Sequence, residues 1–164
     1  MQKDDMLLVH PFPPLCSPDA RVLILGSFPS VVSRQQSFYY ANPTNRFWPV
    51  LAEVFSEEIT DRRQFCRDHH IALWDVIASC RIHASDDSSI RDATVNDING
   101  LVQGTDIRQI YTTGRRAWAL YSRYVRCSLP AECLPSTSSA NARLKLSDLA
   151  EAYQVIRNAA EKES

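Results

Sequence analysis

The stretch Arg21–Gly26, RVLILG, is apolar at every position from Val22 to Leu25 and closes on glycine. Apolar side chains on both sides of the pleat describe a strand buried on both faces, as in a parallel sheet. Ile71–Ile77 and Ile107–Thr112 read as two more strands, and a fourth lies near Val125–Leu129 or slightly later. Between them the apolar period lengthens to that of a helix. Phe47, Val50, Leu51 and Val54 share one face over 46–55, with Thr44 or Asn45 placed to cap the helix. A second helix starts at Thr60-Asp61 and ends near His69-His70, Asn96 caps a third toward Val102, and Gly114 opens a fourth to about Tyr124. The last helix runs from Ser147 to Ala160, with Leu149, Tyr153 and Ile156 on one face. Residues 1–20 carry Pro11, Pro13, Pro14 and Pro18 and read as an extended lead-in.

Strands alternating with helices predict an α/β fold, a parallel sheet covered on both sides, in one domain over residues 1–164. In open sheets of this kind ligands bind beyond the carboxyl ends of the strands. The candidate loops therefore follow Gly26, Ile77, Thr112 and Leu134. The first is the most distinctive. Ser27, Phe28, Pro29 and Ser30 make a tight turn, Tyr39-Tyr40 follow, and Asn42-Pro43-Thr44-Asn45 lead into Arg46-Phe47-Trp48. Phe47 and Trp48 read as core residues of the first helix. The second loop, 78–89, is polar.

Composition narrows the chemistry. An apolar fraction of 45% and a charged fraction of 23% are those of a soluble globular domain. No apolar run approaches the roughly 20 residues of a membrane span, and the first residues lack a signal-peptide pattern, so the cytoplasm is the expected location. Cys16, Cys66, Cys80, Cys127 and Cys133 form neither a disulfide framework nor a C-x-x-C, and read as reduced core thiols. A net charge of −1 argues against a protein that relies on many phosphate contacts. Yet Arg108, Arg115, Arg116, Arg123 and Arg126 follow one another with Asp106 as the sole acid. That stripe fits a nucleic-acid track or a solvated helix face, and charge alone does not choose.

Familiar phosphate and nucleophile motifs are absent. There is no Walker pattern, no G-x-G-x-x-G and no G-x-S-x-G, and the chain has only four glycines. His69-His70 reads as a solvated helix end rather than a metal site, and Cys80 with His83 lacks a third orienting group. What remains is a site of amides, hydroxyls and aromatic rings. It suits a flat, neutral heterocycle, held by stacking and by hydrogen bonds to its edge. It also suits the positioning of a water without a metal.

Gly26-Ser27-Phe28-Pro29-Ser30 and Tyr39-Tyr40-Ala41-Asn42-Pro43-Thr44-Asn45-Arg46-Phe47-Trp48 resemble the first motif of the uracil-DNA glycosylase superfamily, nearest to its hypoxanthine-DNA (deoxyinosine) branch. Trp74–Cys80 resembles that branch's second strand and loop, and Leu134–Asn141 its last active-site motif. The resemblance implies a three-layer α/β/α sandwich with a four-stranded parallel sheet. It also implies hydrolysis of the N-glycosidic bond of a deaminated base, leaving an abasic site. Asn45 falls on the catalytic amide. Gly26, Ser27, Phe28, Tyr40, Asn42, Ser79 and Thr113 fall on base-binding positions, with Tyr40 under the flipped base. Ser30, Arg115, Arg116, Ser136, Thr137, Ser138 and Ser139 fall on the DNA-binding side. Where the uracil-directed branches place Asn or Asp as water activator, this chain has Ser27 and Phe28, which implies hypoxanthine in preference to uracil. Thr113 stands where the hypoxanthine branch often carries asparagine. The expected partner is DNA containing a deaminated base. No cofactor, metal or membrane is expected, and the expected state is a monomer. Two rival readings are a catalytically silent DNA-damage binding module and a nucleoside hydrolase on the same architecture.

Overall fold

The computed structural model describes residues 5–83 and 91–163. Its centre is a parallel sheet in the order β3-β2-β6-β7, formed by β2 (Val22–Gly26), β3 (Ile71–Asp75), β6 (Gln109–Thr113) and β7 (Ala131–Leu134). Val22 and Ile24 point into one layer, against α2 (Phe47–Phe55), α3 (Arg62–Asp68) and α6 (Leu146–Glu161). Leu23 and Leu25 point into the other, against α4 (Ile98–Val102) and α5 (Arg115–Tyr124). All four of these β2 side chains are fully buried. The alternation is what a strand covered on both faces requires, and the α/β/α sandwich follows from it.

The register sets the strand ends side by side. Gly26 lies opposite Asp75, Leu25 opposite Thr112, and Thr113 opposite Leu134. One edge of the sheet therefore carries Gly26, Asp75, Thr113 and Leu134 together. The last three α6 contacts expected from its period hold, since Leu149, Tyr153 and Ile156 are all fully buried. Phe47 and Trp48 are likewise core residues.

Several local expectations are corrected. The stretch Ile71–Ile77 is not one strand, because the chain leaves the parallel sheet at Val76. There the Val76 and Ile77 N–H groups donate to the carbonyls of Gly26 and Ser27. The chain then enters β4 (Ile77–His83), so the first part of the expected polar loop is strand, while its remainder, from residue 84, lies outside the described residues. β4 is the middle of a second, antiparallel sheet with β1 (Asp5–Val9) and β5 (Arg91–Val95). Part of the supposed lead-in is thus β1. Residues after Pro29, expected as loop, form α1 (Val31–Gln36), capped by the Ser30 hydroxyl, which accepts from the Ser33 N–H at 3.2 Å. Asn96 does not cap α4. Asp97 does, and the Asn96 amide instead donates to the Asp75 carbonyl at 2.8 Å, which fixes the point where the chain changes sheets.

Candidate active site

A cleft of about 1250 Å³ opens at the carboxyl edge of the parallel sheet. That exceeds the roughly 300–1,000 Å³ of small-molecule pockets, and leaves space for more than one flat ring. Its walls are the loop after β2, the end of β3, the start of α5 and the loop after β7.

The innermost wall is built around Gly26. A Cβ at this position would lie 2.6 Å from Asp75 Oδ1, 3.3 Å from Tyr40 Oη and 3.6 Å from Thr113 Oγ1. Only the absent side chain lets three polar groups converge on the end of β2. Tyr40 is held firmly there. Its ring stacks on Phe47 with centroids 3.8 Å apart, and its hydroxyl sits 3.1 Å from Thr113 Oγ1. Its backbone is left-handed, with φ 51°, a strained conformation for a large aromatic residue that only the surrounding contacts sustain. Burial first, and then the charge on Asp75, raise its phenol above the usual range, so the hydroxyl keeps its proton.

Asp75 itself is 4% exposed. His10 holds it: the Nδ1 of His10 lies 2.8 Å from the Phe12 carbonyl, and its Nε2 lies 2.8 Å from Asp75 Oδ2. The imidazole is packed in turn between Phe12, Phe28 and Tyr39. A buried carboxylate is costly without a partner, and the lead-in residue supplies one.

The outer wall is anchored through Asn45. Its Oδ1 accepts from the Phe47 N–H at 2.9 Å and from the Thr137 hydroxyl at 2.8 Å. The N-cap of α2 is Arg46, not Thr44 or Asn45, but from one residue before it the Asn45 oxygen still satisfies the first amide of the helix, that of Phe47. Both contacts fall on the oxygen, which fixes the amide orientation. The nitrogen is bonded to no described residue, and Asn45 lines the cleft. Next to it, the Arg46 guanidinium donates to the carbonyls of Leu144, Ser138 and Asn141, and the Arg46 N–H donates to the Thr137 carbonyl. Arg46 therefore ties the loop after β7 to the loop before α2.

Of the residues singled out in the sequence, Gly26, Ser27, Phe28, Ser30, Tyr40, Asn42, Asn45, Thr113, Arg115, Arg116, Ser136, Thr137, Ser138 and Ser139 all line this cleft. Ser79 does not. It lies in β4, opposite Val9 and Thr94, where the change of sheet at Val76 carries it away from the parallel edge. Thr137 is 2% exposed and its hydroxyl is engaged by Asn45, so it supports the wall from behind instead of facing DNA. Ser136 and Ser138 are turned partly to their own loop, accepting from the N–H groups of Ser138 and Ala140. Asn42 Oδ1 accepts from the Thr44 N–H and hydroxyl, an Asx-type turn. Arg115 and Arg116 are exposed at the cleft mouth, joined by Arg143. Asp75 is the single acid among the described residues of the lining.

Sequence reasoning missed His10, Asp75, Arg143 and the tying role of Arg46. Asp75 had a signal. One acid inside the apolar run Ile71–Ile77 must be buried with a partner, and a buried charge at a strand end is a site candidate. His69 and His70 are taken up separately, by Glu57 and by Asp19. Cys80 is fully buried beside Ile77, and the side chain of His83 lies outside the described residues.

The family model of the "Uracil DNA glycosylase superfamily" matches residues 13–158. The chain belongs to the uracil DNA glycosylase superfamily. A protein of Methanosarcina acetivorans named hypoxanthine DNA glycosylase is 31% identical over 153 residues, covering 90% of this chain and 97% of its own. A Methanosarcina barkeri protein of the same name is 27% identical over 138 residues, covering 80% of this chain and 87% of its own. A solution structure from Methanosarcina acetivorans, described as a candidate uracil DNA glycosylase, superposes with a TM-score of 0.74 at 29% identity, covering 92% of this chain and 99% of that one. The superfamily match includes every cleft residue named above, while His10, which holds Asp75 from behind, lies outside it.

Proposed function

We propose that this superfamily member is a DNA glycosylase that hydrolyses the N-glycosidic bond of hypoxanthine in DNA, leaving an abasic site. Water is the nucleophile: its oxygen bonds to the sugar's anomeric carbon, the carbon–nitrogen bond breaks, and the base leaves with the bonding electrons and takes up a proton. The transition state places positive charge on the sugar and negative charge on the base.

The observation that carries the reading is the Asn45 amide. With its oxygen occupied by Phe47 and Thr137, only its N–H₂ group is available to the cleft. Such a group cannot draw a proton from water. It donates a hydrogen bond where negative charge develops, on the departing base, and it is preorganised for that by two contacts to its other end. Tyr40, stacked on Phe47, supplies a rigid ring against which a flipped base can lie. Ser27 and Phe28 offer no carboxylate or amide at the turn after β2, which supports hypoxanthine over uracil. Arg115, Arg116 and Arg143 at the mouth, with the exposed Ser139, supply the phosphate-facing side.

Base release from deoxyinosine-containing oligonucleotides, run beside free deoxyinosine, tests the reading. Release from DNA with none from the nucleoside supports it. Release from the nucleoside alone makes the protein a nucleoside hydrolase. Lesion binding with no release in either makes it a silent damage binder.

A further inference from the structure

Phe38 and Trp48 stack with their planes 13° apart and their centroids 5.9 Å apart. Both rings are fixed to the back of the cleft wall. The Trp48 indole N–H donates to the Tyr39 carbonyl at 3.1 Å, Phe38 meets the Tyr39 ring edge-on, and Tyr39 lines the cleft. Charge is laid on this pair from α3. The Arg62 guanidinium lies 5.2 Å from the Trp48 ring centroid, and that of Arg63 lies 4.8 Å from Phe38. Arg34 repeats the arrangement at 5.6 Å over Phe28, itself a cleft residue. Three rings that lead away from the cleft thus each hold one guanidinium.

A guanidinium laid on a ring keeps its N–H groups, which lie in its own plane, free for a planar or tetrahedral oxyanion. Arg34 gives one of its N–H groups to the Pro29 carbonyl at 2.7 Å. Arg62 and Arg63 are exposed, and meet no carboxylate or carbonyl among the described residues. The acids closest in sequence are turned elsewhere: Asp61 accepts from the Gln64 N–H and Asp68 from the Gln64 side-chain amide. Topology separates this pair from the arginines at the cleft mouth. The α3 helix packs on β3, one edge strand of the parallel sheet, whereas α5 packs on β6 and on β7, the opposite edge strand. Arg62 and Arg63 therefore stand on one side of the cleft, and Arg115, Arg116 and Arg143 on the other.

We propose that Arg62 and Arg63, held on Trp48 and Phe38, form a second phosphate-binding strip that takes the DNA strand on one side of the lesion, while Arg115, Arg116 and Arg143 take it on the other. The inference rests on the glycosylase reading, because it needs DNA as the substrate. A strand that places one base in the cleft leaves it in two directions, and the arginines at the mouth lie along only one of them. Contacts of this kind grip the backbone and carry no sequence information. A net charge of −1 is no obstacle, since the strip is local and its rings hold the side chains in place.

The test uses single-stranded oligonucleotides carrying one 2′-fluoro-deoxyinosine, which resists cleavage, placed at the centre, at the 5′ end or at the 3′ end. Affinity is measured over a fourfold range of salt. Wild-type protein is expected to bind the central lesion best and to lose affinity when either flank is removed. The double variant Arg62→Gln, Arg63→Gln should become indifferent to the loss of one flank, and Arg115→Gln, Arg116→Gln to the loss of the other. On the central-lesion strand, losing two phosphate contacts should reduce the slope of log affinity against log salt by about 1.4. Over the fourfold rise in salt, wild type should then lose about sevenfold more affinity than the Arg62, Arg63 double variant. Arg62→Lys with Arg63→Lys keeps the charge and should recover most of that slope. Arg157→Gln serves as control: its guanidinium lies 5.7 Å from Phe55 at the far end of α2 and pairs with Glu161, so slope and flank dependence should stay as in wild type. If the arginines only shield the rings, the glutamine variant melts at lower temperature with its slope unchanged, which overturns the inference. Wild-type affinity that ignores one flank overturns it without any variant. Hypoxanthine release from ordinary deoxyinosine strands is scored separately. Release with an unchanged slope removes the strip alone, and flank-dependent binding without release removes the glycosylase reading alone.

Discussion

Asn45→Asp separates two roles that one side chain combines. In the wild type, Oδ1 accepts from the Phe47 N–H at 2.9 Å and from the Thr137 hydroxyl at 2.8 Å, while the nitrogen of this cleft-lining residue is bonded to no described residue. Aspartate keeps an oxygen for both partners, caps a helix as well as asparagine, and suits the positive end of α2. Its stability should stay within about 0.5 kcal/mol of wild type. Asn45→Ala removes both contacts. Loss of the cap costs about 1 kcal/mol, and leaving the buried Thr137 hydroxyl unpaired costs about 1–3 kcal/mol. For a chain of this length the sum lowers Tm by about 5–15 °C. The chemistry divides differently, since both variants lose the N–H₂ donor. Each should lose about 10²–10³-fold in single-turnover rate, the cost of one preorganised donor aimed at developing charge. The assay is base release from a deoxyinosine oligonucleotide under enzyme excess, with a thermal melt of each variant alongside. The reasoning predicts a slow, stable aspartate variant. An aspartate variant that releases base as fast as wild type would refute it, and Asn45 would then be a helix cap alone.

Gly26→Ala should destabilise the protein by about 1–3 kcal/mol and abolish lesion binding, because its Cβ meets Asp75 Oδ1 at 2.6 Å while His10 holds that carboxylate in place; thermal melts and gel shifts check both. Arg46→Ala should leave three carbonyls of the loop after β7 unpartnered, so protease cutting within 138–144 should rise before global unfolding, as mass spectrometry of the fragments would report. Reversing Arg115 and Arg116 to Glu should weaken DNA binding and flatten its salt dependence, with the relative release of hypoxanthine and uracil unchanged. Prolonged chelation should leave the rate unaltered, since no three His, Cys, Asp or Glu side chains cluster among the described residues; stoichiometric zinc or iron in active protein would contradict this.

β2 and β3 were legible because each is a short apolar run and burial on both faces leaves no other place for such runs, whereas β7 lies at Ala131–Leu134, past the expected Val125–Leu129, because its sequence AECL exposes Glu132 and Cys133 and carries no apolar run. β2 is the clearest case, with all four of its apolar side chains fully buried. The second sheet was not legible. β1 is a short run, DMLLV, followed at once by Pro11, Pro13 and Pro14, so it was read together with them as an extended lead-in. β4 continues directly from the apolar run of β3, and the change of sheet at Val76 depends on backbone hydrogen bonds to Gly26 and Ser27 that no local pattern announces. Misplacing that change is what put Ser79 in the site. The loops after β2 and β7 were legible from their residue types. The direction of each side chain was not: Thr137 turns inward because Asn45 offers it an acceptor 92 positions away in sequence. His10 is the extreme case, reaching Asp75 across 65 positions from a segment with no motif of its own.

Single-turnover base release by the wild-type protein, from oligonucleotides carrying hypoxanthine, xanthine or uracil, is the most direct test of the central claim. Each is presented single-stranded, mismatched and paired. Flipping a base costs a few kcal/mol, and least where pairing is weak. The account predicts release of free hypoxanthine with an abasic site left behind, faster from single-stranded or mismatched DNA and faster than uracil in every context. Release of uracil as fast as or faster than hypoxanthine in every context would contradict it, as would intact strands after complete lesion binding.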